Sequence, residues 1–138
     1  MQFVLDSFAL VVFFLRQKGW EIVSRHLNDA ADGRYSHLIS SINYGEVYYS
    51  IIREEGEVYA DAALKAIAEM PIEIVDPTRD QVLAASRLKS EGKISYADCF
   101  AAALALERGL YVLRQATQNS EGPSNTAFRS NGYRKIGE

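Results

Sequence analysis

The chain has 138 residues, 48% of them hydrophobic and 24% charged, which is typical of one globular domain. Its net charge is −3, and this balance excludes a protein that coats nucleic acid through a broad basic surface. The lone Cys99 excludes an intramolecular disulfide, two histidines argue against a zinc site, and the longest apolar run, residues 8–15, is too short for a membrane span. We therefore expect a cytoplasmic protein without a membrane segment.

The first third of the chain predicts two strands and two helices. Residues 2–5 form an apolar run typical of a buried strand, and a helix then runs to Arg16 with Ser7 as its N-cap. Apolar residues at helical spacing predict a second helix over residues 20–31. Residues 35–40 are the second predicted strand.

The chain continues this alternation up to its fourth strand. Asn43 is predicted to open a third helix, and Ser95 to cap the last one. The predicted helices cover residues 44–54, 57–70, 78–88 and 96–108, and the predicted strands cover residues 72–75 and 110–113. Short apolar strands between helices indicate a three-layer α/β/α fold with a central, mostly parallel sheet of four to five strands. We expect a single domain over residues 1–138, in which residues 114–138 are an atypical polar C-terminal segment.

Three acidic residues lie where a site of this fold is expected. Asp6 directly follows the first strand, whereas Glu46 and Asp98 lie in the first turns of two predicted helices. Both helical acids also fit capping boxes, in which a carboxylate three residues after Asn43 or Ser95 bonds back to the backbone of that residue. Each acid alone is therefore compatible with a structural role. Together they indicate a site, because ligands of an open parallel sheet bind beyond the carboxyl ends of its strands.

The chemistry of such a site would centre on a divalent cation. Carboxylates that gather without arginine partners repel one another, and a hard cation relieves that repulsion. Mg²⁺ or Mn²⁺ binds oxygen ligands, lowers the pKa of a bound water and neutralises charge on a phosphoryl oxygen. The pattern therefore favours phosphodiester hydrolysis without a histidine, cysteine or serine nucleophile.

Three segments, in order along the chain, resemble the motifs of a known family. They read FVLDSFAL at residues 3–10, INYGEVYY at residues 42–49 and ISYADCFAA at residues 94–102. They resemble the motifs of PIN-domain ribonucleases, particularly the VapC-type toxins of VapBC toxin–antitoxin pairs. The resemblance implies a metal-dependent endoribonuclease that acts on RNA, forms a homodimer and binds a small antitoxin protein that blocks its site.

The same resemblance implies roles for single residues. It implies catalytic acids and metal ligands at Asp6, Glu46 and Asp98, with Mg²⁺ or Mn²⁺ as the cofactor. Ser7, which follows the first acid, and Asn43, which precedes the second, would orient carboxylates or water without binding the metal themselves.

The sequence departs from the family pattern after the fourth predicted strand. The family usually carries a fourth acid in a Thr-Gly-Asp-x-x-Phe-like segment, but direct continuation places Ala116 at that position. If Phe128 matches the family's phenylalanine after an insertion, the position holds Asn125 instead. Glu121 is a further candidate to replace the acid. The alternative function is therefore a PIN-like binding module with weak or no catalysis.

Several other side chains are predicted to be structural. His26 and His37 lack an ordered cluster of ligands nearby, and we expect both at the surface or its boundary. Cys99 lies in an apolar helix and is expected to be a small buried side chain. Tyr44 and Tyr48 share a helix face, which favours packing or a dimer interface, with stacking on RNA bases as the alternative.

Overall fold

The computed structural model of the chain describes residues 2–113 and the backbone of residues 127–128. The strands are β1 (Gln2–Leu5), β2 (Ser36–Ser40), β3 (Ile72–Val75), β4 (Tyr111–Leu113) and β5 (Ala127–Phe128). The helices are α1 (Ser7–Phe14), α2 (Trp20–Ala31), α3 (Ser41–Glu55), α4 (Glu57–Glu69), α5 (Arg79–Glu91) and α6 (Tyr96–Arg108). No helix in these residues is long and apolar enough to cross a membrane.

The strands form one sheet in the order β3-β2-β1-β4-β5. The first four strands of that order are parallel, and β5 pairs antiparallel with β4. In the middle of the sheet, Val4 lies opposite Leu38 on one side and Val112 on the other. The predicted three-layer α/β/α fold with a mostly parallel sheet is confirmed.

Helices cover both faces of the sheet because successive strand residues point to opposite sides. Leu5 and Ile39 pack on one face with side chains of α1 to α4. Val4 and Leu38 pack on the other face with Leu104 of α6. All five side chains are at most 1% exposed, so the central strands β1 and β2 are covered by helices on both faces of the sheet.

Two predicted helix starts are wrong. Asp6, not Ser7, is the N-cap of α1, since its carboxylate accepts a hydrogen bond from the backbone of the third helical residue. The helix α3 begins at Ser41 with Ser40 as its N-cap, so Asn43 lies inside the helix. Glu46 is therefore beyond the first turn, and the capping box predicted for Asn43 and Glu46 does not form. The predicted N-cap of α6, Ser95, is confirmed.

The surface position predicted for His37 is also wrong. Its side chain is 1% exposed, because β2 lies inside a parallel sheet that is covered on both faces. The His37 ring stacks on Phe3 with 6.0 Å between ring centroids, and neither ring nitrogen has a hydrogen-bond partner among the described residues. Burial, reinforced by the nearby His26, lowers the pKa of His37 to about 4. His26 is partly buried, and Cys99 is fully buried as predicted.

Candidate functional site

Asp6 occupies the carboxyl end of the central strand β1. Its carboxylate Oδ1 accepts a hydrogen bond from the backbone N–H of Ala9 at 3.0 Å, and its side chain is 3% exposed. Its own backbone N–H donates to the carbonyl of Leu113 at 3.4 Å. The acid is thus held at the point where β1 and β4 end side by side.

Asn43 joins three helices at the same edge of the sheet. Its Nδ2 donates to the Ser7 hydroxyl oxygen and to the Ala97 carbonyl, each at 3.0 Å. These bonds connect the first turn of α3 to the first turns of α1 and α6. Asn43 is fully buried, and its Oδ1 has no hydrogen-bond partner among the described residues. The amide is therefore a buried polar link between the three segments that carry the predicted acids.

Asp98 lies next to this link. It follows Ala97 directly, and its backbone N–H donates to the Ser95 hydroxyl at 3.1 Å in the N-cap of α6. Its side chain is partly exposed. The hydrogen bond from Asn43 to Ala97 therefore fixes the segment that carries Asp98 close to the segment that carries Asp6.

Glu46 lies almost one turn after Asn43 on α3 and is partly exposed. Its Oε2 accepts a hydrogen bond from the Tyr49 hydroxyl at 3.3 Å. The guanidinium of Arg53 lies 4.9 Å from the centre of the Tyr49 ring. The charge of Glu46, followed by desolvation, raises the pKa of Tyr49, so the hydroxyl remains a donor to the carboxylate.

The tyrosines on the other side of α3 have a packing role. The Tyr48 hydroxyl donates to Asp61 of α4 at 2.6 Å, and this bond raises the pKa of Tyr48 to about 12. Tyr44 and Tyr48 both pack against the main core. The contact of Tyr48 with α4 is the packing expected for this face of α3.

The described acids do not form a three-ligand metal site, although their chemistry suits a hard divalent cation. No three His, Cys, Asp or Glu side chains within the described part of the chain are placed to hold a metal ion together. Mg²⁺ is usually held by one or two carboxylates and keeps several waters, so a three-carboxylate cage is not required. The carboxylates of Asp6 and Asp98 have the oxygen chemistry that such a cation prefers, as does the buried Asn43 Oδ1, which has no hydrogen-bond partner among the described residues. The candidate fourth positions, Ala116, Glu121 and Asn125, lie outside the described residues.

The link through Asn43 was not predicted from the sequence in this form. The family resemblance implies that Asn43 orients carboxylates or water, but its hydrogen-bond partners are 36 and 54 residues away, and one of them is a backbone carbonyl. A sequence does not show which backbone carbonyl will accept a hydrogen bond from a distant side chain. The bond between Tyr49 and Glu46 was missed as well, although a spacing of three residues on a helix would have indicated it.

The parallel sheet and the helices on both of its faces define an α/β domain, and the carboxyl ends of its central strands are where such domains bind ligands. The family profile described as "PIN domain" matches residues 3–115. The chain belongs to the PIN domain family, and the resemblance seen in the three motifs is confirmed. No curated protein matches the chain in sequence.

Solved structures of VapC toxins and VapBC complexes have the same fold. The sarcin–ricin loop cleaving toxin VapC20 of Mycobacterium tuberculosis superposes with a TM-score of 0.69 at 15% identity, covering 97% of this chain and 98% of that chain. VapBC2 of Rickettsia felis, bound to a DNA fragment from its promoter, gives a TM-score of 0.64 at 16% identity, covering 84% and 89%. DNA-bound VapBC of Salmonella typhimurium gives 0.60 at 19% identity, covering 81% and 84%.

Proposed function

We propose that this PIN domain is a metal-dependent endoribonuclease and the toxin of a toxin–antitoxin pair. The observation that carries the proposal is the Asn43 amide, which joins the segments of Asp6 and Asp98 at the carboxyl edge of the sheet. Membership of the PIN family and the fold shared with VapC toxins support it. The structural relatives described as toxin–antitoxin complexes support an antitoxin protein as the partner of this chain.

The proposed cofactor is Mg²⁺ or Mn²⁺. Asp6 and Asp98 would be its main ligands, and Glu46 would complete the site or hold a metal-bound water. When bound, such an ion lowers the pKa of a water and neutralises charge on a phosphoryl oxygen. Ser7 and Asn43 would orient the carboxylates or a water without binding the ion themselves.

The chain's own residues contribute fixed geometry. The Asp6 carboxylate is held by the Ala9 N–H in the first turn of α1, and its rotation away would leave this N–H without its cap. The Ser95 cap of α6 fixes the backbone of Asp98, since the Asp98 N–H donates to the Ser95 hydroxyl. Glu46 accepts a hydrogen bond from the Tyr49 hydroxyl, and both Glu46 and Asp98 are more exposed than Asp6.

A binding module with weak or no catalysis is the second candidate function. It is favoured by the absence, within residues 2–113, of three metal-binding side chains close to one another. It is also favoured by the lack of a carboxylate at Ala116 and Asn125, the two positions where the family's fourth acid would fall. This candidate keeps the fold and the antitoxin partner but not the cleavage.

The assembly and location of the protein complete the proposal. We propose a cytoplasmic homodimer in which residues 1–138 form a single domain with the polar segment 114–138 at its end. Analytical ultracentrifugation of the purified chain tests the dimer. A sedimentation mass of 15.4 kDa, that of one chain, would contradict it.

Binding of Mn²⁺ to purified variants tests the proposed ligands directly. We expect Asp6→Asn and Asp98→Asn to weaken Mn²⁺ binding at least tenfold in isothermal titration calorimetry, because each removes one charged oxygen ligand. Asn is as good an N-cap as Asp, so Asp6→Asn keeps the cap of α1 and the fold.

The matched control is Asp76→Asn. Asp76 directly follows strand β3, as Asp6 follows β1, but it is exposed and lies at the edge of the sheet. We expect this variant to bind Mn²⁺ like the parent protein. Equal binding by all three variants and the parent would show that Asp6 and Asp98 are not the ligands.

A further inference from the structure

Glu46 lies between two neighbours on one face of α3. Residues three positions apart on a helix share a face, so Asn43 is its neighbour toward the start of α3 and Tyr49 its neighbour toward the end. The Asn43 amide is bonded to the segments that carry Asp6 and Asp98. A Glu46 side chain that turns toward Asn43 therefore approaches the proposed cation site, and one that turns toward Tyr49 leaves it.

The Glu46 carboxylate takes the second of these directions. Its Oε2 accepts the hydrogen bond from the Tyr49 hydroxyl at 3.3 Å. In the part of the chain that the structure describes, no three His, Cys, Asp or Glu side chains are placed to hold an ion together. Glu46 therefore does not join Asp6 and Asp98 around one cation in this conformation. We call the hydrogen bond between Tyr49 and Glu46 the latch.

The position of Tyr49 on α3 suits it to hold Glu46. Long side chains on a helix lean toward the helix N-terminus, so the Tyr49 ring covers the turn that carries Glu46. The guanidinium of Arg53, one turn further along, lies 4.9 Å from the centre of the Tyr49 ring. This cation–π contact restrains the ring and so reduces the side-chain entropy that the hydrogen bond has to offset.

Repulsion between carboxylates favours the closed latch as long as no cation is bound. A third carboxylate beside Asp6 and Asp98 would raise the energy of all three ionised groups. The neutral Tyr49 hydroxyl stabilises the charged form of Glu46 without such repulsion, because it donates a hydrogen bond to the carboxylate. A divalent cation reverses this balance, since it attracts an anionic oxygen more strongly than a neutral hydroxyl does.

We propose that Tyr49 holds Glu46 out of the cation site, and that the latch must open before Glu46 becomes a ligand. The latch sets the metal affinity of the site, because the hydrogen bond of the latch competes with the cation for the same carboxylate. This inference rests on the proposed metal-dependent function and describes a regulation of the same site. Tyr49 is a positioning residue, since it acts through Glu46 and not on the substrate.

Isothermal titration calorimetry with Mn²⁺ tests the latch through the variant Tyr49→Phe. This variant keeps the ring that Arg53 contacts and removes the hydroxyl that binds Glu46. The net free energy of one hydrogen bond corresponds to about fivefold in an equilibrium constant, so we expect Tyr49→Phe to lower the Kd for Mn²⁺ by about fivefold. If Tyr49 instead supported Glu46 as a ligand, the same variant would raise the Kd.

Tyr48→Phe is the matched control. Tyr48 is the preceding residue of α3, and its hydroxyl also donates to a carboxylate, that of Asp61 on α4. We expect this variant to bind Mn²⁺ like the parent protein. The latch also predicts that Tyr49→Phe leaves the Kd unchanged when it is added to Glu46→Ala, because the carboxylate that it would release is already absent. Thermal melting confirms that each variant is folded.

Fluorine NMR of the protein labelled with 3-fluorotyrosine follows the latch directly and without turnover. Mg²⁺ replaces Mn²⁺ in this experiment because it is diamagnetic. The resonance that is missing from Tyr49→Phe belongs to Tyr49. We expect saturating Mg²⁺ to move this resonance toward its position in Glu46→Ala, where the hydroxyl has lost its acceptor, and to leave the Tyr48 resonance in place.

Two negative results have different meanings. If the parent protein binds neither Mn²⁺ nor Mg²⁺, the proposed metal-dependent function fails and the latch fails with it. If the parent binds these ions and the Kd of Tyr49→Phe equals or exceeds that of the parent, only the latch is overturned. A Tyr49 resonance that saturating Mg²⁺ leaves in place overturns the latch as well.

Discussion

His37 gives the sharpest prediction about stability, because burial changes its protonation. Its pKa is lowered from 6.5 to about 4 by desolvation and then by the charge of His26. The folded state therefore binds fewer protons than the unfolded state between these two pH values. Stability from this residue is fully present above pH 6.5 and is lost as the pH falls toward 4.

The size of the effect follows from the two pKa values. At 1.36 kcal/mol for each pKa unit, the difference between 6.5 and about 4 corresponds to roughly 3 kcal/mol at pH values below both. Between pH 7.5 and pH 4.5, the free energy of unfolding is expected to fall by about 2.5 kcal/mol. This is less than the full effect because pH 4.5 still lies above the folded-state pKa of about 4. His37→Phe keeps an aromatic ring against Phe3 but cannot bind a proton.

Urea unfolding of the parent and of His37→Phe at pH 7.5 and pH 4.5 measures this difference. The parent should lose about 2.5 kcal/mol more unfolding free energy than the variant over this interval. Other groups that titrate contribute to both proteins and cancel in the comparison. Equal losses for the two proteins, or a His37 ring resonance that titrates near pH 6.5 in the folded state, would refute the argument.

Three further substitutions test the packing of the helices. Asn43→Ala removes one buried and one partly buried hydrogen bond and should lower the unfolding free energy in urea by roughly 2 kcal/mol. Asn28 is exposed, so Asn28→Ala should change this free energy little, and similar losses for both variants would contradict the role of Asn43 in joining the three helices. Ser95→Ala removes the N-cap of α6 and should lower the free energy of unfolding by about 1 kcal/mol, which thermal melting detects as a lower Tm. An unchanged Tm would show that the cap does not stabilise the protein. Gly109 has a φ of +65° at the C-cap of α6, a conformation that a residue with a Cβ adopts only with strain. Gly109→Ala should therefore lower the free energy of unfolding by about 1 kcal/mol in the same melts, and a stabilised variant would contradict this argument.

The order of elements could be predicted because local signals mark it. Short apolar runs gave β1 and β3 with their observed bounds, and the Ser95 cap with Gly109 gave α6 from start to end. These signals lie within a few residues of the element they specify. The alternation of strands and helices then left a parallel sheet as the consistent arrangement.

The start of α3 and the burial of His37 could not be predicted from local signals. Ser40 and Asn43 are both good N-caps, and the choice between them depends on the Asn43 contacts with Ser7 and Ala97, which are distant in sequence. The burial of His37 depends on a neighbouring strand and on helices that cover both faces. Both features belong to tertiary structure.

The site residues stay a prediction from the motifs. Asp6 and Asp98 stand out in the sequence because Asp6 follows the end of a strand and Asp98 follows a helix cap. Their common edge and the buried amide between them required the folded chain.

The measurement that tests the central claim most directly is cleavage of a mixed RNA pool by the purified chain in Mn²⁺. A chelator and the Asp98→Asn variant are run beside it, with Asp76→Asn as the matched control. The account predicts cleavage by the parent and by Asp76→Asn, and loss of cleavage with the chelator and with Asp98→Asn. A folded parent protein that leaves the RNA intact, or an Asp98→Asn variant that cleaves like the parent, would contradict it.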